Sequence, residues 1–191
     1  MNGKYVIDVV KRSLPPSVQN RVRPLWRKGR NQLLRLRMLD GERISPAFMI
    51  IGVMKGGTTS LFQYLLMHPQ IRPPFTKEIH YFDFNWTRPE RWYAAHFPKT
   101  DRTLEGNISG EASPGYLLSP GAAERIAKRY PDIKLIAILR NPVYRAISHY
   151  FHERKLGWEN RPMEEALLAP ESFTYPDLND ELAQRWYTPR T

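Results

Sequence analysis

The stretch IGVMKGGTTSLFQYLLMHP, residues 51–69, constrains the fold of this chain more than any other. The apolar residues 48–53 have the length and composition of a buried parallel strand. Glycines follow, and the next residues predict a helix that Pro69 ends. A strand, a glycine loop and a helix in this order turn backbone N–H groups and a helix N-terminus towards an anion. The stretch therefore predicts an anion-binding loop in an α/β fold.

The lysine of this loop is displaced from its usual position. In the phosphate-binding consensus a lysine directly follows the second glycine, and a Ser or Thr follows the lysine. Gly52 and Gly57 keep the spacing of the glycines, but Thr58 takes the place of the lysine and Lys55 lies inside the loop. A magnesium triphosphate is normally positioned by that adjacent pair and by a carboxylate. The displaced lysine therefore counts against a P-loop nucleotide kinase, which we keep as an alternative.

A second unit of the same kind follows later in the chain. Residues 133–139 form an apolar run that predicts another buried strand, and Asn141 with Pro142 predicts the start of the next helix. Ser119 and Pro120 predict a helix start before that strand in the same way. Strands that alternate with helices predict a parallel α/β sheet with helices on its faces.

Arg140 lies between the second predicted strand and its helix. An arginine there, beside a helix N-terminus, is suited to bind a second anion. It is equally suited to form an ion pair with a nearby carboxylate. Two anion sites on one sheet would fit a nucleotide that is phosphorylated at two distant positions.

Four segments carry a family resemblance, in the order GVMKGGTTSLFQYLLMHP, KEIHYFD, GEASPGYL and LRNPVYRAISHY. Together they resemble the signatures of sulfotransferases that use 3′-phosphoadenosine 5′-phosphosulfate (PAPS), above all the heparan sulfate N- and O-sulfotransferases and their bacterial relatives. The resemblance runs over residues 48–168. It implies a P-loop-like parallel sheet flanked by helices, the sulfotransferase fold. It also implies a PAPS-dependent enzyme without a metal cofactor, acting on a hydroxyl or amine of a carbohydrate or polysaccharide.

The resemblance also implies which residues hold the donor. Lys55 would lie beside the bridging oxygen and neutralise charge as the sulfuryl group leaves. Arg140 and Ser148 would bind the 3′-phosphate. The 5′-phosphosulfate end would be held by the loop residues Lys55, Gly56, Gly57, Thr58, Thr59 and Ser60.

The resemblance assigns the proton-transfer chemistry to KEIHYFD, residues 77–83. Glu78 would be the catalytic base, and a carboxylate serves in that role if it reaches the acceptor group. Lys77 would stabilise the charge of Glu78 or contact an acidic substrate, and His80 would be an alternative base or a substrate contact. From the residues alone, a surface carboxylate, a solvated lysine and a hydrogen-bonded loop histidine are equally open.

Two further features bear on the acceptor and on metals. Ala112, in GEASPGYL, stands where the animal heparan enzymes carry a lysine, so a polysaccharide contact is expected to be lost. His149 and His152 have a spacing compatible with metal binding, but the sequence offers no third ligand beside them.

The first 45 residues are predicted to be a basic extension, and residues 46–191 a sulfotransferase domain. Residues 1–43 hold 11 Lys or Arg against 3 Asp or Glu, a net charge of +8, whereas the rest holds 18 against 16, a net +2. A basic extension of this kind is typical of segments that bind nucleic acid, an anionic membrane surface or an acidic polymer. An amphipathic helix that docks on the domain is the other interpretation.

The chain contains no cysteine and no run of apolar residues long enough to cross a membrane. It also shows no secretory signal pattern near its start. We therefore expect a cytoplasmic protein without a transmembrane segment. Members of the family usually continue well beyond the position of Thr191, so the resemblance predicts a domain truncated at its C-terminus.

Overall fold

The structure is a computed structural model in which residues 16–100 and 106–168 are described. The chain divides into two compact units, Met1–Gly41 and Glu42–Thr191. The first unit contains a single described helix, α1, Pro16–Arg37. Its 22 residues include seven Lys or Arg and no Asp or Glu. Among its described side chains, Val18, Leu25, Leu33 and Leu36 are exposed.

The second unit is built on a four-stranded parallel sheet. The strands are β1 (Pro46–Gly52), β2 (Ile71–Arg72), β3 (Ile108–Ala112) and β4 (Lys134–Ala137), in the order β2-β3-β1-β4. The helices are α2 (Thr58–Leu65), α3 (Glu90–Ala94), α4 (Ala122–Arg129), α5 (Pro142–Leu156) and α6 (Met163–Leu168), with a 3₁₀ helix at Pro114–Leu117. The parallel α/β architecture predicted from the sequence is confirmed.

β1 is a largely buried strand that lies in the interior of the sheet between β3 and β4. Successive strand residues point to opposite faces, and β1 is accordingly apolar on both. Met49 packs on one face with an aromatic group that includes Phe82 and Tyr93. Phe48 and Ile50 pack on the other face with α2. This continuous apolar character is what a strand covered on both faces requires.

Two boundaries differ from those that the sequence predicts. The strand expected at 133–139 is shorter and lies at the edge of the sheet, and Leu135 is 51% exposed rather than buried. α4 begins after Gly121, not at Pro120. The N–H of Ser119 bonds to the carbonyl of Tyr116, three residues back, and so continues the preceding 3₁₀ helix.

No helix in the described part of the chain is long and apolar enough to cross a membrane. The predicted C-terminal truncation concerns residues after 168, which lie outside the described residues.

Candidate functional site

The glycine loop, residues 53–60, connects β1 to the first turn of α2. Gly57 caps this helix with φ at 102°, a left-handed conformation that glycine adopts without strain. A Cβ at Gly57 would meet no atom within 4 Å, so the cap faces open space. The first N–H groups of a helix have no partner within it, and a glycine cap brings no side-chain oxygen to them. This geometry leaves room for an anion at the helix N-terminus. Thr58 is buried, whereas Thr59 and Ser60 are exposed.

Arg140 contacts the glycine loop. Its Nη1 donates a hydrogen bond of 3.1 Å to the carbonyl of Lys55, 85 residues earlier in the chain. In the described part of the chain this guanidinium contacts a main-chain carbonyl and no carboxylate within ion-pair distance. Two main-chain hydrogen bonds just after β4 reinforce this link. The N–H of Val53 donates to the carbonyl of Ile138, and the N–H of Ile138 donates to the carbonyl of Gly52. Two cationic side chains predicted to bind the donor, those of Lys55 and Arg140, thus lie on one connected loop pair.

Asn141 begins α5 as the sequence predicts. Its Oδ1 accepts from the N–H of Val143 at 3.0 Å and of Tyr144 at 3.4 Å. The cap fixes the path of the chain directly after Arg140. Ser148 lies two turns into α5 and is half-buried. Within residues 16–100 and 106–168, no hydrogen bond links Ser148 to Arg140 or to the glycine loop.

The KEIHYFD segment, residues 77–83, comes after the edge strand β2 in the chain and has no regular secondary structure. Glu78 has φ at 59° and His80 at 53°, which are left-handed conformations for residues with side chains. The segment is held by β3 and the residue after it: the N–H of Glu78 donates to the carbonyl of Ala112 at 3.1 Å, and that of His80 to Ser113 Oγ at 3.2 Å.

Lys77 and Glu78 form an ion pair with each other. The Glu78 side chain is 49% exposed, so its carboxylate is open to solvent and to an incoming acceptor. Lys77 thus contacts the predicted base, and its role stays a prediction.

His80 has a partner that the sequence analysis missed. Its Nδ1 lies 2.7 Å from Oδ2 of Asp83, whose side chain is only 1% exposed. Burial lowers the pKa of His80, but the hydrogen bond and charge of Asp83, together with the charges of Glu78 and Glu111, raise it above the ordinary value. The signal available in the sequence was the three-residue spacing of His and Asp within KEIHYFD.

The pKa of His152 is affected by charges on both the glycine loop and the KEIHYFD segment. Burial lowers its pKa, the charge of Lys55 lowers it further, and Glu153 and Glu78 act in the opposite direction. His152 on α5 therefore lies within range of both Lys55 and Glu78. His149, the other half of the weak metal motif, pairs with Glu153 at 3.1 Å. Among the described residues, no three His, Cys, Asp or Glu side chains form a group that could hold a metal ion.

Comparison with known proteins adds the following. A family model described as "Sulfotransferase domain" matches residues 45–183. Human heparan sulfate glucosamine 3-O-sulfotransferase 6 is 44% identical over 110 residues, which are 58% of this chain and 31% of the relative. The membrane-associated sulfotransferase kil1 of Dictyostelium discoideum is 42% identical over 105 residues, 55% of this chain and 22% of the relative.

A solved structure is also similar. The sulfotransferase from Alicyclobacillus acidocaldarius matches with a TM-score of 0.52 and 32% identity, over 76% of this chain and 61% of that chain. The present chain thus spans about a third or less of the length of these curated relatives and under two thirds of the bacterial structure.

Proposed function

Because this chain belongs to the sulfotransferase domain family, we propose that it moves a sulfuryl group from PAPS to a hydroxyl or amine of a carbohydrate acceptor. The observation that carries the proposal is the joining of the glycine loop to Arg140, with His152 within electrostatic range of both Lys55 and Glu78. Arg140 directly precedes α5, and the charges of Lys55 and Glu78 both act on His152 within α5, so this helix relates the predicted donor-binding cations to the solvent-open carboxylate. The carbohydrate acceptor is supported by the heparan sulfate enzymes among the relatives.

The donor would be held by residues that fit a doubly phosphorylated nucleotide. The open cap at Gly57 and the N–H groups and hydroxyls of Thr58, Thr59 and Ser60 suit the 5′ end. Arg140 and Ser148 suit the 3′-phosphate, since a guanidinium donates several charge-assisted hydrogen bonds to phosphate. Lys55 would neutralise charge that develops on the leaving phosphate, and such stabilisation is the main demand of a loose in-line transfer.

The acceptor side is served by the KEIHYFD segment. Glu78 would take the proton of the acceptor hydroxyl or amine, and it forms an ion pair with Lys77. His80 would orient or polarise the acceptor, with Asp83 holding one ring nitrogen. In this arrangement His80 is a substrate contact, and it would serve as the base if Glu78 does not.

The proposal is tested by calorimetric titration with adenosine 3′,5′-bisphosphate, ADP and magnesium ATP. We expect the bisphosphate to bind without metal and more tightly than ADP, and Arg140→Ala to lose about tenfold or more of that preference, since a hydrogen bond to a charged group contributes roughly 1.5–3 kcal/mol. Lys128→Ala, which removes an exposed cation on α4, is the control. Equal affinity for the bisphosphate and ADP would contradict the proposal, and magnesium-dependent ATP turnover would favour the P-loop kinase alternative.

We propose in addition that α1 binds an anionic membrane surface. Val18, Leu25, Leu33 and Leu36 are spaced by seven, eight and three residues, so at 3.6 residues per turn they fall on one face of the helix. All four side chains are exposed. The exposed cations Lys28, Arg30 and Arg35 lie to either side of that apolar stripe.

A membrane surface explains both halves of this pattern. A nucleic acid or an acidic polysaccharide would neutralise the seven cations but leave the apolar stripe in water. An anionic bilayer attracts the cations and buries the stripe at the boundary between headgroups and acyl chains. Attachment by α1 at the cytoplasmic side of a membrane is compatible with the cytoplasmic location, which stays a prediction from the sequence.

A further inference from the structure

The carboxylate of Glu111 lies in the interior of the domain and is not part of the site described above. Glu111 is the penultimate residue of β3 and is 0% exposed. Three hydroxyls converge on it: Tyr93 Oη at 2.6 Å, Ser113 Oγ at 2.9 Å and Tyr116 Oη at 3.1 and 3.2 Å. No lysine or arginine pairs with it among the described residues. Burial of a carboxylate is costly unless it has strong hydrogen-bond partners. A carboxylate at this buried position, with three hydroxyls bonded to it, therefore calls for a functional explanation.

Two of these hydroxyls lead directly to the KEIHYFD segment. Ser113 Oγ accepts the N–H of His80 at 3.2 Å. Tyr116 Oη accepts the N–H of Tyr81 at 2.9 Å and that of Phe82 at 3.4 Å. Three consecutive backbone amides of the segment are therefore linked to Glu111 by hydrogen bonds through two hydroxyls. The hydroxyl of Tyr93 also contacts Glu111, but among the hydrogen bonds of residues 16–100 and 106–168 none joins it to the segment.

The direction of these hydrogen bonds depends on the carboxylate. A hydroxyl has one hydrogen to donate and lone pairs that accept. An ionised carboxylate only accepts, so Ser113 and Tyr116 turn their hydrogens to Glu111 and their lone pairs to the amides. Burial, and then the charge of Glu111, raise the pKa of Tyr93 and of Tyr116, which keeps both phenols as donors.

The segment needs such an anchor because its backbone is strained. The left-handed conformations of Glu78 and His80 persist only where surrounding contacts determine them. Without the bonds at His80, Tyr81 and Phe82, the main chain is free to relax, and the side chains of Glu78 and His80 move with it.

We propose that Glu111 is a positioning residue for the reaction, which holds the KEIHYFD segment in its active conformation by orienting the hydroxyls of Ser113 and Tyr116. Glu111 does not touch the substrate. The inference rests on the proposed function for its catalytic consequence, but the anchoring of the three amides is independent of that function.

The electrostatics of Glu111 make the anchor sensitive to pH. Burial raises its pKa to about 7, against the hydrogen bonds from Tyr93, Ser113 and Tyr116 and the charge of His80. A protonated Glu111 brings an extra donor into a group that already consists of donors. Among the described residues, the charged and titratable groups coupled to it are His80 from the segment, Tyr93 from α3, Tyr116 from the 3₁₀ helix and Tyr130 at the end of α4. As the pH falls below about 7, the anchor is therefore expected to loosen.

The first test is amide exchange measured residue by residue by NMR on the full chain. Glu111→Gln keeps the volume, but its amide group donates where the carboxylate accepted. We expect exchange at His80, Tyr81 and Phe82 to accelerate at least tenfold, with exchange at Met49 and Ile50 of β1 unchanged. Tyr93→Phe is the matched control, because it removes a bond to Glu111 that does not lead to the segment. Unchanged exchange at the three amides would overturn the proposal.

The second test uses kinetics. Glu111→Gln should lower kcat at least tenfold while the Kd of adenosine 3′,5′-bisphosphate stays within twofold, and it should flatten the acid limb of the wild-type pH profile. In a Tyr116→Phe/Ser113→Ala background, Glu111→Gln should add little, since it acts through those hydroxyls. Parallel loss of nucleotide binding, thermal stability and kcat would indicate a merely structural role. If the wild type transfers no sulfuryl group, the proposed function fails, and the exchange experiment still decides the anchoring.

Discussion

At the scale of the residue, the site depends on pairs of charged side chains. Lys77 contacts Glu78, and His80 contacts the buried Asp83. The two carboxylates differ in exposure: Glu78 faces solvent and can meet an acceptor, whereas Asp83 is enclosed and contacts the imidazole of His80 and the N–H of Phe84. Substitution of Glu78 is therefore expected to affect sulfuryl transfer, whereas substitution of Asp83 is expected to affect the pKa of His80 and the stability of the domain.

Glu78→Gln should reduce sulfuryl transfer about 100-fold or more, as expected for loss of a general base. The affinity for adenosine 3′,5′-bisphosphate should stay the same, because the carboxylate does not contact the donor loop. Calorimetry and a transfer assay on one preparation measure both quantities. Lys55→Ala is the contrasting variant and should impair binding and transfer together. Full turnover by Glu78→Gln would move the base to His80 or to another group.

Asp83→Asn should lower the pKa of His80, because the charge that raises it is removed. The amide oxygen can still accept the N–H of Phe84 that Asp83 Oδ1 accepts at 2.7 Å. A raised histidine pKa adds stability that is complete below the unfolded value of about 6.5 and is lost as the pH rises through the folded value. The variant should therefore lose more thermal stability at acidic than at alkaline pH.

Thermal melts on both sides of neutrality and an NMR titration of the His80 ring measure these effects. Asp132→Asn, at an exposed carboxylate, is the control. An equal loss of stability at both pH values would show that Asp83 acts by packing and not by its charge.

At the scale of the element, the two parts that we propose bind anions are turns at the ends of parallel strands. The glycine loop follows β1, and Arg140 with the cap of α5 follows β4. β1 and β4 are neighbours in the sheet, and the carboxyl ends of parallel strands meet at one edge. The contact between Arg140 and the carbonyl of Lys55 is a consequence of that adjacency.

Asn141→Ala should destabilise the domain by about 1 kcal/mol, since the first N–H groups of α5 lose their acceptor. Asn141→Gly should destabilise the domain by only about a few tenths of a kcal/mol, because glycine is itself an acceptable cap. Denaturant titration of both variants measures the difference, and Asn160→Ala, at an exposed position before α6, serves as the control. The same cost for alanine and glycine would mean that the side-chain cap is not what holds this helix start.

At the scale of the whole molecule, the distribution of charge separates two kinds of task. Nearly all of the net charge of +10 belongs to residues 1–43, and the rest of the chain is close to neutral. We therefore propose attraction to an anionic surface for the extension, and binding of the anionic donor by a few individual groups for the domain. The two tasks should be separable by mutation.

Vesicle sedimentation tests the proposed membrane attachment. The full chain should bind vesicles that contain phosphatidylglycerol and not those of phosphatidylcholine alone, and salt should weaken the binding. Leu25→Gln/Leu36→Gln should reduce it without changing nucleotide affinity, whereas Met67→Gln, an equally exposed apolar change in the domain, should not. A polyanion would be favoured as the partner if the chain binds heparin or DNA and if the leucine substitutions do not reduce its binding to vesicles.

The sequence by itself determined the features that depend on neighbours along the chain. The strand–glycine–helix order around Lys55, the cap at Asn141 and the parallel α/β class all follow from apolar runs, turn residues and backbone preferences within a few residues. The candidates of the KEIHYFD segment came from resemblance, and Asp83 was missed although it lies in that segment.

Only the tertiary structure decided the features that join distant parts of the chain. An apolar run does not say whether its strand lies inside a sheet or at the edge, so the exposure of β4 was not predictable. The sequence around Glu111 does not show that its carboxylate is buried. Its partners Tyr93 and Tyr116 belong to α3 and the 3₁₀ helix. The link from Arg140 to Lys55 spans 85 residues. The physical reason is common to all three: burial and hydrogen-bond partners are set by which elements pack together, and local sequence does not encode that choice.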